Sequence, residues 1–283
     1  MLTLEKVADL EVSAASGLVA LGDELCVVAD DELFLAVFDR SGAPLRRVPL
    51  FAGELPEAHK ARKRAKPDLE ALALLPDGRL LALGSGSTAS RMRSACIDPH
   101  GESALRISDW SVLFAELRRD IAELNIEGAA VAEGRLWLAQ RGNGASGLNA
   151  LIELDLELAR AALEAGAPID ARSLRAIHIV RLGAIDGAPL SLTDLAAVPG
   201  RGLLFSAAAE PSGSTYDDAP VTGSIVGLLT TRGAVVHQLR VAPTCKLEGI
   251  AIARDHLWLV ADPDDRAQRA PLFRAAWPFS ADP

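Results

Sequence analysis

The stretch Lys246-Leu-Glu-Gly-Ile-Ala-Ile-Ala253, continued by His256-Leu-Trp-Leu-Val-Ala-Asp262, decides the fold. It reads as a strand, a tight turn and a second strand. Asn125-Ile-Glu-Gly-Ala-Ala-Val-Ala132 with Arg135-Leu-Trp-Leu-Ala-Gln140 is a close copy, and Asp68-Leu-Glu-Ala-Leu-Ala-Leu-Leu75 with Arg79-Leu-Leu-Ala-Leu-Gly84 is another. Two looser copies are Ser191-Leu-Thr-Asp-Leu-Ala-Ala-Val-Pro199 with Gly202-Leu-Leu-Phe-Ser206, and Ser16-Gly-Leu-Val-Ala-Leu-Gly22 with Glu24-Leu-Cys-Val-Val-Ala29. Proline fixes the register of the fourth copy, because Pro76 and Pro199 each lie six residues after the aligned position. The equivalent residues are then Ser16, Glu70, Glu127, Thr193 and Glu248, spaced 54, 57, 66 and 55 apart. Short strands repeating at about that length are propeller blades. The expected fold is all-β, a five-bladed β-propeller with short helical insertions.

Outward from these cores, each blade needs two more strands. Residues 33–39 and 44–50, 93–98 and 104–108, and 224–230 and 235–241 read as hairpins around Gly42, Gly101 and Gly233. In the third blade a helical insertion over about residues 157–171 takes the place of the hairpin turn. The fifth blade stops after a third strand near Pro271–Trp277. The unplaced segment 2–10 is therefore expected to supply its fourth strand and close the ring, leaving no open sheet edge. The basic run 57–66 and the amphipathic run 110–124 read as helices between blades. Without a Pro/Gly/Ser-rich linker, residues 1–283 count as one domain.

Composition limits the functional classes. With 49% hydrophobic and 24% charged residues, the chain suits a globular protein with a sizeable core. No window approaches the ~18 apolar residues of a membrane span, and the acidic start is not a secretory signal. Cys26, Cys96 and Cys245 lie in or beside strands without a CxxC pair, which argues against a disulfide framework or zinc site and for a reducing cytoplasm. A net charge of -9 argues against general nucleic-acid binding.

In a propeller the start of each inner strand and the loop after each second strand open on one axial face. That mouth should collect the five aligned positions and the polar loops 84–91, 141–147, 210–218 and 262–266. Glu70, Glu127 and Glu248 then approach one another, and gathered like charges raise each other's pKa unless a cation compensates. They are candidate ligands of calcium or another divalent cation, and candidate ligands or base for metal-assisted hydrolysis of an ester, lactone or phosphoester. The alternative is that they latch blades, paired with Lys66, Lys246 or Arg141. Ser85, Ser87, Arg91, Arg141, Asn143, Lys246 and Asp262 are the candidate contacts to a small polar or anionic ligand. His100, His178, His237 and His256 fall on turns or outer strands away from the mouth, leaving His59 alone near it, so a Ser-His-acid mechanism is not expected. Neither GxxxxGK[ST] nor GxSxG occurs around Gly84-Ser-Gly-Ser87. Trp137 and Trp258, at equivalent second-strand positions, are expected to pack between blades. A non-catalytic propeller that docks a protein partner is the competing class.

The repeated Leu-Glu-Gly/Ala-apolar-Ala phrase resembles the esterase-like phytase propeller family of bacteria and, more distantly, the gluconolactonase/senescence-marker superfamily. The second resemblance implies an axial divalent cation held by acidic and amide side chains. Glu70, Glu127 and Glu248 match the acid of the phrase, and Asn143 or Asp262 would stand as further axial ligands. The chain departs from the lactonase group in showing five cores where that group has six blades, and in placing Ser16 and Thr193 at two acid positions.

Overall fold

A computed structural model of the chain describes residues 1–101, 104–210, 221–254 and 256–279. Five antiparallel sheets stand around one axis as a five-bladed propeller. Their inner strands are Ala15–Leu21, Leu69–Leu74, Ile126–Ala132, Ala188–Val198 and Lys246–Ala253, each contacting the next around the ring. The N-terminal segment closes the ring, and it does so across two blades. Leu2–Thr3 pairs in parallel with the outer strand of blade four, Val235–Ala242. Glu5–Asp9 then forms the missing antiparallel edge of blade five against Pro271–Ala276. Leu4, between them, is buried against Val241, Leu247 and Phe273.

Five clusters of buried side chains among the described residues fill the five blade interfaces. Leu69, Leu72 and Leu80 meet Val28 and Leu35 between blades one and two. Leu81 and Leu83 meet Leu136 and Ile152 between two and three. Trp137 packs against Leu195 and Phe205, and Trp258 against Leu18 and Val27, so both tryptophans sit between blades as expected. The core is thus distributed around the axis, which holds the inner strands rigidly at a common radius.

The helices are shorter than the sequence pattern suggests. Helix α1 is His59–Ala65, α2 is Ser111–Leu117, and α3 is Leu156–Ala165. Although helical spacing continues to Leu124, α2 ends at Leu117. Ile121 and Leu124 still enter the same apolar cluster, so burial there does not require continued helix. In α3, Asp155 caps the start through the Leu158 amide at 3.0 Å, and Gly166 ends it at φ 61°. The outer strand of blade two is Arg106–Asp109, two residues later than expected at its start.

The aligned phrase has a structural reason that strand periodicity alone does not show. In every blade the pairing of inner and second strands skips one residue, and the skipped residues are Ser16, Glu70, Glu127, Thr193 and Glu248. Each is the extra residue of a β-bulge, which bends the strand and re-aims the side chain. The next position is Gly17, Ala71, Gly128, Asp194 or Gly249. A Cβ on Gly128 would lie 2.8 Å from Asp194 Cα, and one on Gly17 would lie 2.8 Å from the Leu72 nitrogen. Neighbouring inner strands come too close there for a larger side chain. Asp194, the exception, accepts from the amides of Leu195 and Ile250, each at 2.8 Å, and from Leu18. One carboxylate thereby joins blades four, five and one.

Candidate functional site

The five bulges deliver their side chains to one end of the axis, and the cross-strand pairs just outside them form the rim. The Asp30 amide bonds the Ala14 carbonyl, Ser85 bonds Asp68, and Arg141 bonds Asn125. Lys246 pairs with Asp262 in the corresponding place in blade five. In blade four the second strand, Gly202–Ala209, runs on to Glu210. Residues two before the bulge share its face, as strand alternation requires. This rule accounts for Asp68, Asn125, Ser191 and Lys246 in the mouth.

Arg141 is the hub of one half. It is 5% exposed, and its Nη1 donates to Glu127 Oε2 at 2.9 Å and Glu248 Oε1 at 3.4 Å. Its Nη2 donates to Glu210 Oε2 at 2.9 Å and its Nε to Ser191 Oγ at 3.3 Å. Three blades are thus tied through one guanidinium. Asn125 Nδ2 donates to the other Glu127 oxygen at 2.6 Å. Lys246 Nζ lies 3.2 Å from Glu248, 2.7 Å from Asp264, 3.6 Å from Glu210 and 3.7 Å from Asp262. Burial pushes Glu248 up to about 8, against the pull of Arg141 and Lys246 and with the repulsion of Glu127 and Glu210. Its Oε2 is buried without a hydrogen-bond partner among the described residues. Burial also raises Asp262 to about 6, with Lys246 opposing. Burial acts to raise Glu210 as well, but Arg141 and Lys246 overcome it and hold that carboxyl below its ordinary value.

The other half gathers Asp30, Asp68 and Glu70, whose carboxylate oxygens lie within 4.8 Å of one another. Lys66 Nζ bonds Asp30 and lies 2.9 Å from Asp68 Oδ1. Asp68 Oδ2 accepts from Ser85 Oγ at 2.5 Å and lies 2.8 Å from Arg91 Nη1, which also donates to Ser87 Oγ at 2.9 Å. Asp68 adopts φ 56°, a left-handed conformation that Asp tolerates better than most residues. Glu70 differs from its neighbours. It keeps some exposure, and it has no hydrogen-bond or ion-pair partner among the described residues. Burial raises its carboxyl well above the ordinary range, reinforced by Glu127, Asp68 and Asp30 and opposed by Lys66. Burial likewise raises Asp30, with Lys66 pulling against it.

The three glutamates therefore converge but do not form one cluster: Glu127 and Glu248 lie on Arg141, and Glu70 lies with two aspartates. Ser85, Ser87, Arg91, Arg141, Lys246 and Asp262 are all in the network. Asn143 is exposed at its margin, 3.4 Å from Asn125 Nδ2. Ser16 and Thr193 are buried and bonded locally, to the Ala14 carbonyl at 3.1 Å and Ser206 Oγ at 2.9 Å. His59 is exposed at the start of α1. Of the loop 210–218, residues 211–218 lie outside the described residues. Sequence reasoning passed over Asp30, Asp68, Asn125 and Glu210. The first three were findable by extending the bulge alignment two residues outward and across to the paired strand.

Residues 11–276 match the profile of DUF6929, a family of unknown function, and the chain belongs to that family. No curated protein matches it. Among solved structures it is similar to a candidate glycoside hydrolase from Parabacteroides distasonis, at 11% identity and a TM-score of 0.55, over 94% of this chain and 88% of that one. The glutaminyl cyclase of Myxococcus xanthus matches at 14% and 0.55, over 97% of both chains. A glycosyl hydrolase from Bacteroides ovatus matches at 9% and 0.50, over 98% and 87%. At these identities the likeness is one of fold. No described helix is long and apolar enough to cross a membrane.

Proposed function

We propose that this DUF6929 member is a ligand-binding propeller whose mouth takes a small polar molecule beside a hard cation, calcium or another divalent ion, at Asp30, Asp68 and Glu70. The observation that carries the reading is the Glu70 carboxylate, without a hydrogen-bond or ion-pair partner among the described residues and set among three other acids. Hard oxygen donors at this spacing suit calcium, which takes 6–8 oxygens at about 2.3–2.6 Å. Lys66 stands against the fit as an internal competitor for two of the three acids. A divalent ion, when bound, polarises an ester, lactone or phosphoester oxygen and acidifies bound water. In that hydrolysis Asp30, Asp68 and Glu70 would hold the ion, while Ser87, Arg91 and Asn143 would orient the ligand at the rim. The network sets eight carboxylates against four basic side chains, each already paired, so the charge balance favours a neutral polar ligand such as an ester or lactone over an anionic phosphoester.

Glu127 and Glu248 support the second reading, that repeated acids latch blades, because Arg141 joins them across the axis. Thermal melts and calorimetric titration with calcium, magnesium and manganese separate the two. A native-state site stabilises by RT ln(1 + [L]/Kd), about 2.7 kcal/mol at a hundredfold excess over Kd. We expect that response in the wild type and in Glu127→Gln, and its loss in Glu70→Gln. A wild type indifferent to every cation, or an undiminished response in Glu70→Gln, refutes the cation site. Hydrolysis of ester, lactone and phosphoester panels is then compared between wild type and Glu70→Gln.

A further inference from the structure

Helix α1 is attached to the ring in an unusual way for a propeller insertion. None of its residues is buried, so no apolar face holds it down. Its ties are polar. Arg62 Nη2 donates to the Asp31 carbonyl at 2.5 Å and lies 3.8 Å from the Asp31 carboxylate and 3.9 Å from Glu32. Arg91 Nη2 donates to the Lys63 carbonyl at 3.2 Å. Lys66, the residue that caps the helix C-terminus, reaches Asp30 and Asp68. Its side chain is 12% exposed, and among the described residues it is the one basic group in contact with both of those acids, since Arg91 meets Asp68 alone.

We propose that α1 is a strap and Lys66 its pin: the ammonium holds the Asp30 and Asp68 carboxylates beside Glu70 as a tethered cation, and an arriving divalent ion displaces it and frees the helix. The inference rests on the cation reading above and adds its regulation. Charge drives the exchange. Lys66 and Arg91 set two positive charges against three carboxylates and leave an excess of one negative charge; a divalent ion in place of Lys66 cancels it, and the displaced ammonium returns to water. The short reach required fits the chain, because Pro67 follows Lys66 and the inner strand starts at Leu69, so only the Lys66 side chain must withdraw. Once that contact is lost, the ties that remain include the Arg62 contacts to Asp31 and Glu32 and the Arg91 bond to the Lys63 carbonyl, with no apolar face beneath the helix to add to them.

Lys66→Met keeps the stem and removes the charge, and Lys66→Arg keeps the charge. Calcium affinity is measured by calorimetry on the full-length chain. Trypsin cleavage after Lys60, Arg62, Lys63 and Arg64 is timed by mass spectrometry with and without calcium; position 66 precedes proline and contributes no site of its own. Lys66→Met should bind calcium about tenfold more tightly or better, since a unit charge within a few ångströms of the ion has been removed. Calcium should speed cleavage of the wild-type strap several-fold, and Lys66→Met should be cut at the faster rate from the outset. Lys66→Arg should follow the wild type, and a melt of each variant identifies any that fails to fold. Equal or weaker calcium binding by folded Lys66→Met overturns the strap while leaving the cation reading intact. Uptake by neither protein overturns the cation reading and the competition with it.

Discussion

Arg141→Met removes the guanidinium that joins blades three, four and five and retains most of the side-chain stem. Glu127 and Glu248, with side chains 6% and 5% exposed, are left without their shared guanidinium; Glu248 and Glu210 keep Lys246, whereas Glu127 keeps only the Asn125 amide. Removing one partner of a buried ion pair costs about 3–5 kcal/mol. An independent bound comes from protonation, because a stranded carboxylate takes up a proton once that is cheaper than remaining charged. From an ordinary pKa near 4.3, protonation at pH 7 costs about 4 kcal/mol per group, and at pH 5 about 1 kcal/mol. Glu248 is already pushed up to about 8, so Glu127 bears most of the loss. The expected deficit is therefore about 4 kcal/mol at pH 7, roughly a 10 °C fall in Tm for a chain of this size. The sign with pH is fixed. The variant's folded state holds a proton that the unfolded state lacks, so the deficit shrinks as pH falls from about 7 to about 5. Urea unfolding of wild type and Arg141→Met at both pH values measures it, and adding Glu127→Gln to the variant should recover part of the loss. A deficit under about 1 kcal/mol at pH 7, or one that does not shrink toward pH 5, refutes the hub.

Deleting residues 2–9 exposes the edge of blade five and should abolish the cooperative melt or cause aggregation in size-exclusion chromatography; an unchanged melt and elution volume would remove the closure argument. Gly128→Ala drives a Cβ against the Asp194 backbone and should cost about 1–3 kcal/mol in urea unfolding, a loss that is contradicted if stability is unchanged. Glu248→Gln tests the raised carboxyl. Because its folded pKa lies above the unfolded one, wild-type stability should fall as pH rises from about 4.5 to about 8, by at most about 1.4 kcal/mol per pH unit from this group. Glu248→Gln should show a flatter profile, and parallel profiles would show that Glu248 is ionised throughout.

The ring was legible because its tightest constraint repeats. Five inner strands meet where only Gly or Ala fits in four blades, so Gly17, Ala71, Gly128 and Gly249 recur one residue after the bulge and carry the alignment. Closure was legible as well, since a blade short of one strand and a segment without a blade have one joint solution. The crossing of segment 2–9 between two blades was not, because a parallel pair of two residues leaves no periodicity. In the site, bulge position revealed where Glu70, Glu127 and Glu248 project but not their partners. Asp30 and Glu210 come from the ends of second strands in other blades, and the sequence distance from Arg141 to Glu248 or from Lys66 to Asp30 carries no local signal. The basic run 57–66 reads as a helix between blades, and its sequence names no partner for its charges. Only the fold brings Arg62 and Lys66 back onto acids.

Partners, rather than burial, separate the structural acids of the axis from the one left over. Asp194 is fully buried, and burial raises its carboxyl well above the ordinary range, yet three backbone amides from three blades satisfy it. An acid so placed compensates donors that the bulges leave unpaired, and the fold needs it whatever the protein binds. Glu127 is equally satisfied, by Arg141 on one oxygen and Asn125 on the other. Glu70 occupies the same bulge position in the repeat as Glu127, so blade geometry asks the same of both. The fold gives Glu70 no donor among the described residues, and it sets Asp30 and Asp68 beside it, which raises the cost of its charge. Glutamine or serine would fill that bulge without the electrostatic penalty, as Ser16 does in blade one. On the cation reading proposed above, an acid kept where its charge is costly in the free protein is a ligand waiting for an ion from outside the chain. That is why Glu70→Gln, and not a variant of Glu127 or Asp194, is the substitution that decides between scaffold and site.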